Sequence, residues 1–156
     1  MTKKFLVLII SIAFFAGIFL FWSSLIKNDI GGSDENAITV FKSLTCGCCG
    51  DYVDYLKREG FKVRVENVSN MLSIKEKYKI PQDLESCHTA IVDGYFIEGH
   101  VPIEAIKKLI SEKPDILGIA LPGMPQGSPG MGGVKKEAFK IYGLSKAGEI
   151  LEFMSI

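Results

Sequence analysis

Cys46, Cys48 and Cys49 fall inside one four-residue turn, Cys46-Gly47-Cys48-Cys49. A fourth cysteine, Cys87, lies far along the chain beside His88, and a second histidine follows at His100. Three chemistries fit these residue types. Four cysteines can form two structural disulfides in an oxidising compartment, with three pairings open. A Cys48–Cys49 bridge would be a strained vicinal ring, whereas a Cys46–Cys49 bridge leaves Cys48 to reach Cys87. Alternatively, Cys46-x-x-Cys49 at a helix start has thiols acidified by the helix dipole and free N–H groups. Cys46 would then attack a substrate disulfide and Cys49 resolve it, with Cys48 as a competing thiol. Third, thiolates select soft ions such as Cu(I), zinc or the irons of a cluster. Gly47 and Gly50 let the backbone fold around such an ion.

The elements that must position these residues follow from the flanking pattern. Ala37-Ile38-Thr39-Val40-Phe41 is β-rich and leads directly into the cysteine turn. A helix is expected from Cys49 to Glu59, with Val53 and Leu56 on one face and Gly60 as its stop. Lys62 to Glu66 alternates charged and apolar residues as a half-buried strand does, and Asn70 to Lys79 suits a short helix ending before Pro81. His88–Val92 and Tyr95–Glu98 flank Asp93-Gly94, a strong signal for a two-residue hairpin. Pro102 at N1 opens a helix to Lys113 whose stripe is Ile103, Ile106, Leu109 and Ile110. Leu121 to Gly133 holds five glycines and three prolines and reads as a loop. Two strands, Phe139–Leu144 and Ile150–Met154, close the chain. Phe41, Tyr95 and Phe96 are expected in the core.

Strand, cysteine turn, helix, strand, helix, hairpin, helix is the thioredoxin order. The fold class is therefore α/β, a thioredoxin-like domain with a central mixed sheet flanked by helices. That order places the start of the hairpin beside the cysteine turn. Counting outward from Asp93-Gly94, Cys87 faces His100, with Cβ atoms about 5 Å apart. His88 then points to the other side unless the strand bends at its start. It also stands where thioredoxins carry a cis-proline. Metal candidates are thus Cys46, Cys48, Cys49, Cys87, His100 and His88. Met124 and Met131, on the glycine-rich loop, are further soft donors that packing of the loop could equally explain. Zinc would fit four Cys and His ligands, but two separated Cys-x-x-Cys knuckles are absent. Three crowded thiolates with methionines nearby favour copper as Cu(I), in a thiolate cluster that can hold several ions.

Phe5 to Trp22 is an 18-residue apolar run broken only by Ser11 and preceded by Lys3 and Lys4. It reaches the lower limit for a bilayer-spanning helix, lacks a good small-x-small cleavage site and ends on an interface-seeking Trp22. Residues 1–26 are therefore expected to be one N-terminal transmembrane anchor, or a signal segment if cleaved. Residues 27–36 (Lys27 to Asn36) read as a flexible linker and residues 37–156 as the metal-binding domain. Lys3 and Lys4 stay cytoplasmic and the domain lies outside the cytoplasmic membrane, on the periplasmic side. Eighteen basic residues balance eighteen acidic ones, which gives no electrostatic reason for nucleic acid as a partner. High apolar content excludes disorder for most of the chain.

The stretches Lys42-Ser43-Leu44-Thr45-Cys46-Gly47-Cys48-Cys49-Gly50, Ser86-Cys87-His88-Thr89-Ala90, Ile97-Glu98-Gly99-His100-Val101-Pro102 and Leu121-Pro122-Gly123-Met124-Pro125-Gln126-Gly127-Ser128-Pro129-Gly130-Met131 occur in that order. In them the chain resembles the bacterial domain-of-unknown-function 411 family, also described as CopG-type copper-resistance proteins. The resemblance implies an exported thioredoxin-like domain that binds copper through its Cys-x-Cys-Cys motif and helps a cell survive excess copper. It further implies a multi-copper thiolate cluster whose redox state can change. Cys46, Cys48, Cys49 and Cys87 are then the ligands, with His88 and His100 as candidates. The chain's partners would be copper ions, other exported copper-handling proteins and, through the N-terminal helix, the membrane, a retained anchor being a departure from a freely soluble exported form. The rival expectation is a thiol–disulfide oxidoreductase acting through Cys46 and Cys49.

Overall fold

The Asp93-Gly94 turn organises the centre of the sheet. Both residues have positive φ, 48° and 84°, the pairing that matches the right-handed twist of the strands a two-residue turn joins. β3 (His88–Val92) and β4 (Tyr95–Gly99) leave it in the register Val92↔Tyr95, Ile91↔Phe96, Ala90↔Ile97 and Thr89↔Glu98. The computed structural model describes residues 37–156, so the expected anchor and linker, residues 1–36, lie outside the described residues.

β1 (Ala37–Lys42) pairs in parallel with β2 (Lys62–Asn67) and antiparallel with β3. β5 (Ile116–Leu121) runs parallel to β4, and β6 (Lys140–Ser145) and β7 (Ile150–Ser155) follow antiparallel. The result is one mixed seven-stranded sheet in the order β2-β1-β3-β4-β5-β6-β7. The sequence pattern assigned no element to β5. Its run Ile116-Leu117-Gly118-Ile119-Ala120-Leu121 is apolar without alternation, as suits an interior strand covered on both faces. The expected loop therefore begins one residue later, at Pro122.

The two faces of the sheet are unequal. On one, α1 (Gly47–Arg58) and α3 (Ile103–Glu112) bury Tyr52, Val53, Leu56, Ile103, Ile106 and Leu109 against Ile38, Val40, Ala90, Ile97, Ile119 and Ile141. Each such aliphatic side chain contributes roughly 1.5–3 kcal/mol on leaving water. On the other face α2 (Met71–Lys77) and a 3-10 turn at Gln82–Leu84 adjoin a smaller cluster of Ile80, Leu84, Phe96, Ala120 and Leu144. Asn70 caps α2, its side chain accepting from the Leu72 N–H at 3.0 Å. α1 begins two residues earlier than expected, so Cys46 is its N-cap and Cys48 and Cys49 lie in its first turn. Pro102 is the N-cap of α3 rather than its first residue. Phe96 is buried as expected, and Phe41 and Tyr95 are half-buried. Among the described residues no helix is long and apolar enough to cross a membrane.

Candidate metal centre

Topology makes the two cysteine segments meet. β1 ends at Lys42, whose register partner on β3 is His88, the first residue of that strand. The turn after β1 therefore opens beside the segment that enters β3. The Ser43 carbonyl accepts from the Cys46 N–H at 3.2 Å and from Lys42 Nζ at 3.1 Å, which curls the chain into α1.

The Sγ atoms of Cys46, Cys48, Cys49 and Cys87 all lie within 4.8 Å of one another. Metal–thiolate bonds near 2.3 Å put sulfurs around one tetrahedral ion about 3.8 Å apart, so Cys48 and Cys87, joined by Cys46 and Cys49 once their disulfide is opened, lie within reach of a shared soft ion or a small cluster. Cys46 and Cys49 are joined as a disulfide, Cα atoms 5.4 Å apart, and Cys48 and Cys87 are free thiols. The pairing that the sequence left open is thus Cys46–Cys49. Cys48 Sγ stands 3.6 Å from Cys46 Sγ. Cys49 is fully buried and the other three cysteines are half-buried.

A second group adjoins the first through Cys87. Cys87 Sγ lies 3.2 Å from His100 Nε2 and 3.2 Å from His88 Nδ1, and one nitrogen of each ring joins the sulfur in a trio within 4.8 Å. The Cys87–His100 contact is the one expected from the hairpin register. His88 keeps the alternation of β3 and shares the Tyr52 side with Ala90 and Val92, and it is His100 that crosses to that side. The β3–β4 ladder stops at Thr89↔Glu98, and Gly99 has φ 78°, which bends the chain between Glu98 and His100. Any side chain at Gly99 would collide, since a Cβ there would stand 2.6 Å from Ser86 Oγ and 2.7 Å from the Leu121 carbonyl.

Tyr52 backs both imidazoles. Its ring centroid is 4.6 Å from His88 and 5.3 Å from His100, and the two histidine rings meet edge-on at 4.9 Å. The Tyr52 hydroxyl donates to the Val101 carbonyl at 2.8 Å, and the Ile103 N–H donates to the Tyr55 hydroxyl at 2.8 Å. α1 thereby holds the segment that follows His100. His100 Nδ1 donates to the Pro129 carbonyl at 2.7 Å. This fixes the tautomer and leaves the Nε2 lone pair facing Cys87, the arrangement that metal-binding histidines favour. His88 Nε2, by contrast, is buried without a hydrogen-bond partner among the described residues.

Burial sets the protonation states. It lowers His88 to about 3, assisted by the neighbouring His100 and Lys75, and it lowers His100 as well, so both rings are neutral at pH 7. Burial, followed by the charge of Cys48, pushes the Cys87 thiol up to about 11. The acidified thiol expected at the helix start does not extend to Cys87, which must surrender its proton when an ion binds. Neutral imidazoles and displaceable thiols form a soft donor set.

Met124 is 42% exposed with φ 46°, and Met131 is half-buried on the same loop. That loop adjoins the centre through the Pro129 carbonyl and through Gly130, where a Cβ would stand 2.6 Å from the Tyr52 backbone nitrogen. Sequence reasoning missed Tyr52, Lys75 and Glu98. Glu98 is fully buried and forms an ion pair with the buried Lys75 directly behind Ser86. The only sequence signal for either was Glu98 at an inward position of a β-rich run.

Comparison with known proteins bears on this centre. The profile of a family described as "Protein of unknown function, DUF411" matches residues 84–131, which include Cys87, His88, His100 and both loop methionines. A solved structure titled "Copper resistance protein copG- Form 2" is 40% identical, covers 77% of this chain and 97% of its own, and superposes with a TM-score of 0.72. A second, titled "Copper resistance protein copG- Form 1", is also 40% identical, with 77% and 96% coverage and a TM-score of 0.71. No curated protein sequence matches.

Proposed function

The chain belongs to the DUF411 family of CopG-type proteins, and on that premise we propose that it binds copper as cargo and serves copper resistance or homeostasis. One observation carries the reading: four sulfurs from two separate segments converge within 4.8 Å. Cys46, Cys48, Cys49 and Cys87 would hold Cu(I), with His100 and His88 completing the centre and Cys87 shared between two groups of donors. A shared thiolate suits a centre of more than one ion, and soft sulfur favours copper over zinc. A thiol reductant that supplies two electrons and two protons opens the Cys46–Cys49 disulfide to two thiols, which lose those protons on binding an ion, so the full thiolate set belongs to the reduced chain. Such coupling supports a protein that sequesters copper, hands it on or changes its oxidation state. Met124 and Met131 are supplementary donors in this reading.

The strand order β2-β1-β3-β4 with α1 and α3 on one face supports reading residues 37–156 as a thioredoxin-like metal-binding domain. Residues 1–26 would tether it, through the linker at 27–36, to the outer side of the cytoplasmic membrane. Protease added to spheroplasts should digest the domain and spare the anchor; protection of the domain would overturn this placement.

The test of the copper reading is an anaerobic Cu(I) titration of the reduced full chain, followed by X-ray absorption at the copper edge. At least one ion per chain, bound mainly by sulfur, is expected. Failure to bind, or a nitrogen-only shell, would reject it. The Cys46–Cys49 disulfide supports a second reading, thiol–disulfide exchange on protein substrates. Insulin reduction that survives both Cys48→Ser and Cys87→Ser would favour it.

A further inference from the structure

Lys75 and Glu98 form a buried ion pair on the face of the sheet opposite Tyr52, and the copper reading leaves them without a role. Stability does not account for them. Desolvating two charges offsets most of their attraction, and apolar residues of similar volume commonly do as well or better. What an apolar pair could not do is bind the main chain on either side of the metal ligands.

The contacts bracket the Cys87-His88 dipeptide. Glu98 Oε1 accepts from the Ser86 N–H at 2.6 Å, and Lys75 Nζ donates to the Ser86 carbonyl at 2.9 Å. Both main-chain groups of the residue before Cys87 are thus taken. On the far side, Thr89 Oγ1 donates to Glu98 Oε2 at 2.6 Å. Thr89 and Glu98 are fully buried, Lys75 is 5% exposed and Ser86 is half-buried, so the carboxylate at the centre of these bonds is shielded from water. Glu98 also stands on β4, two residues before His100, which directly follows the strand. One carboxylate therefore references the Cys87-His88 segment to the strand that delivers His100. The close approach of Ser86 that Gly99 permits brings the same two segments together.

We propose that Lys75 and Glu98 are positioning residues: an ionic clamp across Ser86 and Thr89 that sets the Cys87–His100 separation, and with it the geometry of the metal centre. The inference rests on the copper reading for its purpose, though not for its geometry. Groups that orient metal ligands from behind commonly change affinity by roughly 10–100-fold when removed.

The test uses the full chain and two readouts. The double variant Lys75→Met/Glu98→Gln removes both charges and leaves no lone buried ion. It should keep a thermal midpoint near that of the parent, lose roughly 10–100-fold in Cu(I) affinity in a competition titration, and show fewer sulfurs at the copper edge. The second readout needs no copper. In a Cys48→Ser background kept oxidised, Cys87 is the lone free thiol, and its alkylation by iodoacetamide should accelerate several-fold when the clamp is removed. A variant with a core truncation on the opposite face, Leu109→Ala, controls for general destabilisation. Unchanged alkylation and unchanged affinity would overturn the clamp. A parent chain that binds no copper would reject the copper reading, while the alkylation rates would still decide the clamp. If the double variant fails to fold, Thr89→Val and Thr89→Ser take its place. Valine removes one bond to Glu98 and serine restores it, so alkylation should rise with valine and return with serine; equal rates in both would overturn the proposal.

Discussion

The turn carrying Cys46, Cys48 and Cys49 has exposed residues beside half-buried Cys46 and Cys48, whereas the arm runs from half-buried Cys87 to His88 and His100, which are walled in. Leu44 is 78% exposed, and Thr45 and Gly47 are exposed beside it. His88 and His100 are fully buried against Tyr52. The turn depends on local chemistry: an N-cap cysteine, a helix start and small residues that allow tight curvature. The arm depends on long-range contacts, namely the Pro129 carbonyl, the Lys75–Glu98 pair and an aromatic wall. An ion would therefore enter by the turn, while the arm supplies preformed ligands that need little reorganisation on binding.

Four measurements would break or sharpen that contrast. The largest effect is expected from Cys87→Ser, because this sulfur belongs to both donor groups. Cu(I) affinity should fall by roughly two orders of magnitude or more, about 3 kcal/mol, and copper content should drop. Cys48→Ser touches one group alone and should leave the Cys87, His88 and His100 trio able to hold an ion. Equal losses in the two variants would end the notion of a shared bridging sulfur.

His100→Gln comes next. Its ring is pre-oriented by the Pro129 carbonyl at 2.7 Å, whereas His88 Nε2 lacks such a short hydrogen bond among the described residues. Roughly tenfold or greater loss is expected at His100 and a smaller one at His88→Gln, read by the same competition titration. The reverse ranking would show that hydrogen-bonded orientation is not what selects the better ligand.

Smaller again is the pH dependence of the metal-free chain. Burial keeps His88 neutral down to about 3, while an unfolded histidine protonates near 6.5. The unfolded chain thus binds more protons in this window, and stability falls as pH drops from about 6.5 toward 3. The slope reaches about 1.4 kcal/mol per pH unit for one such group, with His100 contributing in the same direction. Denaturant midpoints at several pH values should show a steeper decline in the parent than in His88→Gln, with Glu98, whose carboxyl burial raises, acting in the opposite direction in both. Last, Leu44→Ser, on the solvent side of the turn, should change stability by about 0.5 kcal/mol at most.

The contrast also explains what could be read from residues alone. The hairpin was legible because Asp93-Gly94 sets a register, and extending it past its last pair, Thr89↔Glu98, sets Cys87 opposite His100. The cysteine turn was legible because its residues are contiguous. Three things were not. β5 shows no alternation because both its faces are covered, so its apolar run carries no strand period. His100 reaches His88 and Tyr52 only because Gly99 turns the chain, a main-chain event with no side-chain period to announce it. Lys75 sits in Met71-Leu72-Ser73-Ile74-Lys75-Glu76-Lys77, where a lysine reads as solvated until a carboxylate from a distant strand is seen to face it. Choosing among the three disulfide pairings likewise required coordinates.

The acceptor that orients His100 is a peptide carbonyl, that of Pro129, and this has a consequence for anyone mapping the protein by mutagenesis. A scan that trims side chains one at a time passes over a main-chain oxygen, because replacing residue 129 leaves the C=O in place. The contact becomes visible at its neighbour. Gly130, with φ 75° and its Cα side packed against the backbone of Tyr52, has no room for even a methyl group. A deep substitution map should thus register intolerance at a residue that touches no ligand and silence at the one whose oxygen does the orienting.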